Sequence, residues 1–249
     1  MTLVIGHRGA SHDYPENTLE AFRGAAAQGA DWVELDVRRT RDGLLVVHHD
    51  PHLSDGRTIA EMTSREIPDS VPSLAAALET CAPMGVNVEI KNTEGEPGYD
   101  ATAGIAREVV KTIRATVKSV TDILISSFDL PTLDAARHAD GDIATGFLVL
   151  STEEPADAVA LCVERGHQAA NPYDLFVSAE SVARAHQSGV AVNVWTVDDP
   201  GRIAQLASWG VDAVITNRPD VALGALGRPR SRGLDPVLGE GSCGEPEST

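Results

Sequence analysis

Short runs of Val, Ile and Leu recur along the chain, separated by longer, Ala-rich amphipathic stretches. That alternation predicts repeated strand–helix units: a strand buried on both faces reads as a continuous apolar run, and the helix covering it as an apolar stripe. Eight strands are expected, near residues 3–7, 32–36, 86–91, 122–126, 143–149, 167–171, 191–196 and 213–216. Helices are expected to begin near 17, 73, 100, 130, 155, 180, 200 and 219. Eight such units predict an α/β fold closed into a (β/α)8 TIM barrel, with an open doubly wound sheet as the alternative.

One segment breaks the alternation. After the strand ending near Asp36, the sequence VRRTRDGLLVVHHD offers two extended runs joined by Asp42-Gly43, a hairpin signal where a helix would otherwise stand. Such an insertion after strand 2 would project above the barrel and fold back. It would return His49 to the strand end that carries Glu34 and Asp36, on the face where these barrels place their chemistry. Residues 51–72, with Pro51, Gly56, Pro68 and Pro72, read as a loop able to roof part of the mouth. From residue 227 the composition shifts to GRPRSRGLDPVLGEGSCGEPEST, so one domain is expected over 1–226 and a flexible tail over 227–249.

Composition narrows the function. A chain of 249 residues, 42% hydrophobic, suits a single large core. Its net charge of −17 argues against a nucleic-acid or anionic-membrane surface, both of which need a basic patch. A phosphate-bearing ligand would have to be held locally, by a cation or a few placed bases. No run is long enough to span a bilayer and the start shows no leader pattern, while Cys81, Cys162 and Cys243 are scattered and odd in number. A cytoplasmic protein without disulfides or a Cys-based metal site is expected.

The candidate chemistry lies at strand ends. Glu34 and Asp36 are two apart on a strand and so share a face, here the barrel interior, and Glu89 and Lys91 repeat the arrangement in NVEIK. Three carboxylates converging on one mouth raise one another's pKa unless a cation intervenes, and all-oxygen ligands suit Mg²⁺ or Ca²⁺. Each acid could instead be paired with its own base. Three on adjacent strand ends favour a site, since barrel cores are otherwise filled with branched apolar side chains.

His7 ends the first strand and His49 closes the hairpin, so both arrive at the acidic cluster. Two imidazoles flanking a phosphate can divide the proton work of a diester cleavage. The other histidines, His12, His48, His52, His138, His167 and His186, read as surface or core residues. Arg8 and Lys91 suit a phosphate's non-bridging oxygens, although either could serve a neighbouring carboxylate. In YPENT, Asn17 or Thr18 is expected to cap the following helix, with Asn17 favoured, and Glu16 to sit at the mouth. Trp195 and Phe128 place aromatic faces at strand ends, with core packing as the competing reading.

Taken together, GHRGA (6–10), PENT (15–18), GADWVELDVRRTRDG (29–43), VVHHD (46–50), VEIK (88–91), SSF (126–128), WTV (195–197) and GVDAVITNRPD (210–220) resemble, in order, segments of the glycerophosphodiester phosphodiesterases. The resemblance implies a barrel, a divalent metal, and hydrolysis of a small-molecule glycerophosphodiester to glycerol 3-phosphate and an alcohol. It implies catalytic roles for His7 and His49, metal ligation by Glu34, Asp36 and Glu89, phosphate contacts from Arg8 and Lys91, and Trp195 and Phe128 beside the glycerol. The family's usual Asp-Arg-Thr appears here as Gly56-Arg57-Thr58, and its late Thr-Asp as Thr216-Asn217. These departures bear on Arg57 and on contacts over the mouth, and none is expected to touch the core set. The rival readings are a phospholipase D-like or lyase reaction giving a cyclic phosphate, and a barrel that binds phosphodiesters without turning them over.

Overall fold

The computed structural model describes residues 1–150 and 155–228. Its strands are β1 (Leu3–Gly6), β2 (Trp32–Arg39), β3 (Leu45–Val47), β4 (Gly85–Ile90), β5 (Ile123–Ser127), β6 (Ala144–Val149), β7 (Ala169–Pro172), β8 (Ala191–Val194) and β9 (Ala213–Thr216). All except β3 pair in parallel in the order β1-β2-β4-β5-β6-β7-β8-β9, and β9 pairs back onto β1 to close the ring. The protein is therefore a closed eight-stranded parallel TIM barrel with one extra strand.

The helices are α1 (Leu19–Gln28), α2 (Leu74–Cys81), α3 (Gly104–Thr116), α4 (Leu130–Ala139), α5 (Pro155–Arg165), α6 (Ala179–Gln187), α7 (Pro200–Ser208) and α8 (Pro219–Ala225). Several start on side-chain caps that satisfy free backbone N–H groups: Ser73 on α2, Asp129 on α4 and Asp199 on α7. On α1 the cap is Thr18, whose hydroxyl accepts from Ala21 N, and not Asn17. Asn17 turns inward instead, because Asp36 offers it a buried partner.

Strand alternation sorts the side chains. Val33, Leu35 and Val37 of β2 and Val88 and Ile90 of β4 pack outward in one core cluster with Phe22, Ile113 and Leu133 of the helices. Phe22 is wholly buried, and truncating such a side chain typically costs about 3–5 kcal/mol. The opposite faces carry Glu34, Asp36, Asn87 and Glu89 into the barrel. The register sets Asp36 level with Glu89, and Glu34 level with Asn87 one layer deeper.

The expected hairpin is present. β3 pairs antiparallel with the upper half of β2, Val37 opposite Val47, and His48 N donates to Asp36 O at 2.9 Å. Residues 51–72 contain two 3-10 turns, Ile59–Glu61 and Ser64–Glu66, and fold over a small core of Val46, Leu53, Ile59 and Met62. They cover the hairpin rather than the mouth, since their apolar residues find burial there. Of the expected tail, residues 229–249 lie outside the described residues. Arg228, within the expected tail, is tied to the barrel by two 2.6 Å contacts from its guanidinium to Asp31. No helix among the described residues is long and apolar enough to cross a membrane.

Candidate active site

The C-terminal end of the barrel opens into a cavity of about 280 Å³. One side is polar, with His7, Arg8, Glu34, His49, Asn87, Glu89 and Lys91. The other is apolar, with Phe128, Leu148, Leu150, Trp195 and Ile215. None of residues 51–72 lines it, and none of the six histidines read as structural does. Arg57 is occupied elsewhere, by Asp55 and the Glu66 carbonyl.

The loop after β1 is shaped to bring its side chains inward. Arg8 adopts a left-handed backbone, φ 55°, a conformation that costs a non-glycine residue about 1–2 kcal/mol. Gly9 follows at φ 87°, packed so closely on α1 that a Cβ would stand 2.6 Å from the Ala21 carbonyl carbon. That turn aims Arg8 N–H at Glu34 Oε2, 2.9 Å away, and sets the guanidinium between Asp36, 3.2 Å from Nε, and Glu16, 3.0 Å from Nη1. Glu16 thus holds Arg8 at the rim and does not itself line the cavity.

One carboxylate oxygen each from Glu34, Asp36 and Glu89 lies within 4.8 Å of the other two. Asp36 is surrounded by cations and donors: Lys91 Nζ at 3.0 Å, Arg8, and the Asn17 amide at 2.7 Å. Burial opposes its charge, but Lys91 and Arg8 outweigh that and hold its carboxyl at about 2. Glu89 keeps Lys91 as its partner at 2.5 Å, yet burial still pushes it up to about 7. Glu34 rises well above the ordinary carboxyl range, first through burial and then through Asp36 and Glu89 beside it, and its Oε1 is buried without a hydrogen-bond partner. Two cations facing three carboxylates leave the group short of positive charge. An orphaned oxygen within an all-oxygen donor set is compatible with a divalent cation.

Each histidine is fixed through Nδ1. His7 Nδ1 lies 2.7 Å from Asn217 Oδ1, and His49 Nδ1 lies 2.7 Å from Asp50 Oδ1. Burial lowers the pKa of both, helped by Arg8 at His7 and by Lys91 at His49. Behind His49, the buried Arg38 donates from Nε to the His49 carbonyl at 2.7 Å and pairs with Glu96 at 3.0 Å. The departure at Asn217 therefore does touch the core set, contrary to expectation.

The apolar wall is tied to the barrel. Phe128 meets Trp195 edge to face, with ring centroids 5.6 Å apart, and Trp195 Nε1 donates to the Asn171 carbonyl at 2.7 Å. All nine residues singled out from the sequence, His7, Arg8, Glu34, Asp36, His49, Glu89, Lys91, Phe128 and Trp195, meet at this one site. Reading the sequence missed Arg38 and Asn87, and missed the contacts that Asn17 and Asn217 make with Asp36 and His7. Asn87 carried a usable signal, lying two before Glu89 on the same strand face, whereas the others depend on partners distant in sequence.

Residues 7–221 match the model of the glycerophosphoryl diester phosphodiesterase family. A glycerophosphodiester phosphodiesterase of Caldanaerobacter subterraneus subsp. tengcongensis is 30% identical over 242 residues, 89% of this chain and 96% of that protein. Among solved structures, an Oleispira antarctica phosphodiesterase in complex with the product sn-glycerol-3-phosphate superposes with a TM-score of 0.81, at 26% identity over 91% of this chain and 97% of that one. A glycerophosphodiester phosphodiesterase from Thermotoga maritima gives 0.74 at 28% identity, over 92% and 99%.

Proposed function

This chain belongs to the glycerophosphoryl diester phosphodiesterase family, and from that membership we propose that it hydrolyses glycerophosphodiesters, such as glycerophosphocholine or glycerophosphoethanolamine, to glycerol 3-phosphate and an alcohol. The observation that carries the reading is the meeting, in one cavity, of two imidazoles, two fixed cations and three carboxylates.

Glu34, Asp36 and Glu89 would hold Mg²⁺ or Ca²⁺. When bound, such an ion polarises a phosphoryl oxygen and offsets the charge that develops there. Arg8 and Lys91 bind the remaining non-bridging oxygens, Arg8 as a fork and Lys91 as a point charge. Lys91 is already within reach of both the acidic cluster and the Phe128 face, 6.0 Å from that ring's centroid. Phe128 and Trp195 flank the glycerol and exclude water from one side of it.

The histidines move the protons. With each Nδ1 engaged by a partner, the working atom of each ring is Nε2. One ring accepts a proton from the attacking water as its oxygen bonds to phosphorus. The other donates a proton to the alcohol oxygen as its bond to phosphorus breaks. Buried, unpaired Cys81 and Cys162 suit a reducing compartment, and the cytoplasm is proposed as the location.

The deciding experiment is coupled detection of glycerol 3-phosphate from glycerophosphocholine, with Mg²⁺ or Ca²⁺ and again with excess chelator, followed in parallel by phosphorus NMR. Cation-dependent release supports the reading. No release under any condition would point to a binding barrel, and a persistent cyclic diester to a lyase.

A further inference from the structure

We propose that Asn217, held by Asp198, is a positioning residue that fixes the proton of the neutral His7 ring on Nδ1 and so presents Nε2 to the cavity as a proton acceptor. The proposal rests on the two-histidine reading above and adds a division of labour to it.

The argument runs through hydrogen-bond polarity. Asp198 Oδ2 lies 2.7 Å from Asn217 Nδ2, and a carboxylate only accepts, so the amide must present its NH2 to Asp198. Asp198 is itself anchored, since its Oδ1 accepts from Asn217 N–H and from the Thr216 hydroxyl, each at 2.8 Å. The amide oxygen is thereby turned toward His7, beside the Ser11 hydroxyl, whose single proton faces both this oxygen at 2.8 Å and the His7 carbonyl at 2.7 Å. An amide oxygen has nothing to donate. The 2.7 Å contact therefore requires a proton on His7 Nδ1, and the neutral ring keeps its lone pair on Nε2.

His49 differs at the corresponding contact. Its Nδ1 meets the Asp50 carboxylate, an anion that favours the doubly protonated ring, while His7 meets a neutral amide whose nearest carboxylate is one residue removed. The pairing suits His7 to take the proton from the attacking oxygen and His49 to give one to the leaving alkoxide. Asp198 and Ser11 both bond to Asn217 and so fix the one group that meets Nδ1.

Nitrogen-15 NMR of the resting, substrate-free protein tests the lock, with the His7 ring signals assigned by their loss in His7→Ala. The wild-type neutral ring should show Nδ1–H with an unprotonated Nε2. Asp198→Asn, which leaves the amide free to turn over, should introduce the Nε2–H form and lower kcat roughly 10- to 10³-fold, short of the loss from removing the acceptor outright, with KM changed far less. Asn217→Asp alone keeps an acceptor on Nδ1, so the Nδ1–H form should persist, while a second carboxylate facing Asp198 loosens the hold on the ring. Combined with Asp198→Asn it restores a donor–acceptor pair of reversed sense, and both the Nδ1–H signature and most of kcat should return. A wild-type ring carrying its proton on Nε2, or an Asp198→Asn variant with unchanged tautomer and kcat, overturns the proposal. An Nδ1–H signature in a protein whose His7→Ala variant retains full turnover would instead overturn the two-histidine reading and leave the lock standing.

Discussion

Lys91 and Glu89 leave β4 on the same side, and the Lys91 ammonium closes to 2.5 Å from Glu89 Oε1 while also touching Asp36 at 3.0 Å. Even so, Glu89 sits at about 7, because burial outweighs the lysine. A carboxyl raised in the folded state favours folding below its ordinary value of 4.5 and disfavours it increasingly as pH climbs through about 7. Glu89→Gln removes that liability. In excess chelator, the variant should gain stability over the wild type as pH rises from 5 to 8, by on the order of 2–3 kcal/mol at the top. Thermal unfolding of both proteins checks this, and the lowered histidines cancel in the difference. A difference that stays flat with pH would sink it.

With Mg²⁺ or Ca²⁺ present, the sign of that comparison should reverse. With Glu34, Asp36 and Glu89 as the proposed ligands, removing one should weaken a stabilisation that grows with cation concentration. Glu34→Gln should raise the cation dissociation constant by about 10-fold or more, read by isothermal titration calorimetry. Turnover should be restored partly by more cation. Identical binding isotherms for variant and wild type would exclude Glu34 as a ligand.

His7→Ala and His49→Ala should each lower turnover by about 10²- to 10⁴-fold while circular dichroism stays that of the wild type. His49→Ala should be partly rescued by substrates with a good leaving group, such as nitrophenyl esters, since they need less help from an acid. His7→Ala should not. Equal rescue of the two variants would contradict the division of labour.

Gly9→Ala should damage fold and site together. Its φ of 87° disfavours any side chain, and the added Cβ would stand 2.6 Å from the backbone of Ala21. A loss of roughly 2–4 kcal/mol is expected, by analogy with strained and overpacked sites elsewhere. Chemical denaturation measures it, and a change below 0.5 kcal/mol would show that α1 can retreat without cost.

Local patterns made most of this molecule legible. Strands buried on both faces leave apolar runs that neighbouring helices cannot imitate, so the barrel could be read off the sequence, and so could the hairpin at Asp42-Gly43. Inward acids on β2 and β4 stood out because barrel interiors rarely admit them. Asn17 misled because Asn and Thr are both good caps, and the tie between Asn17 and Thr18 is broken only by Asp36, a partner on another strand. Asn217 stayed hidden for the same reason at greater range, its partner being His7, 210 residues earlier.

That separation has a consequence for how the protein comes into being. The side chain that orients His7 is supplied from just beyond the last strand of the ring, and the backbone N–H of His7 itself bonds to Thr216. A chain emerging from the ribosome would carry the three proposed metal ligands and both imidazoles long before it could turn over a substrate. Competence then arrives with the final strand, so activity during synthesis or refolding is a direct clock for ring closure.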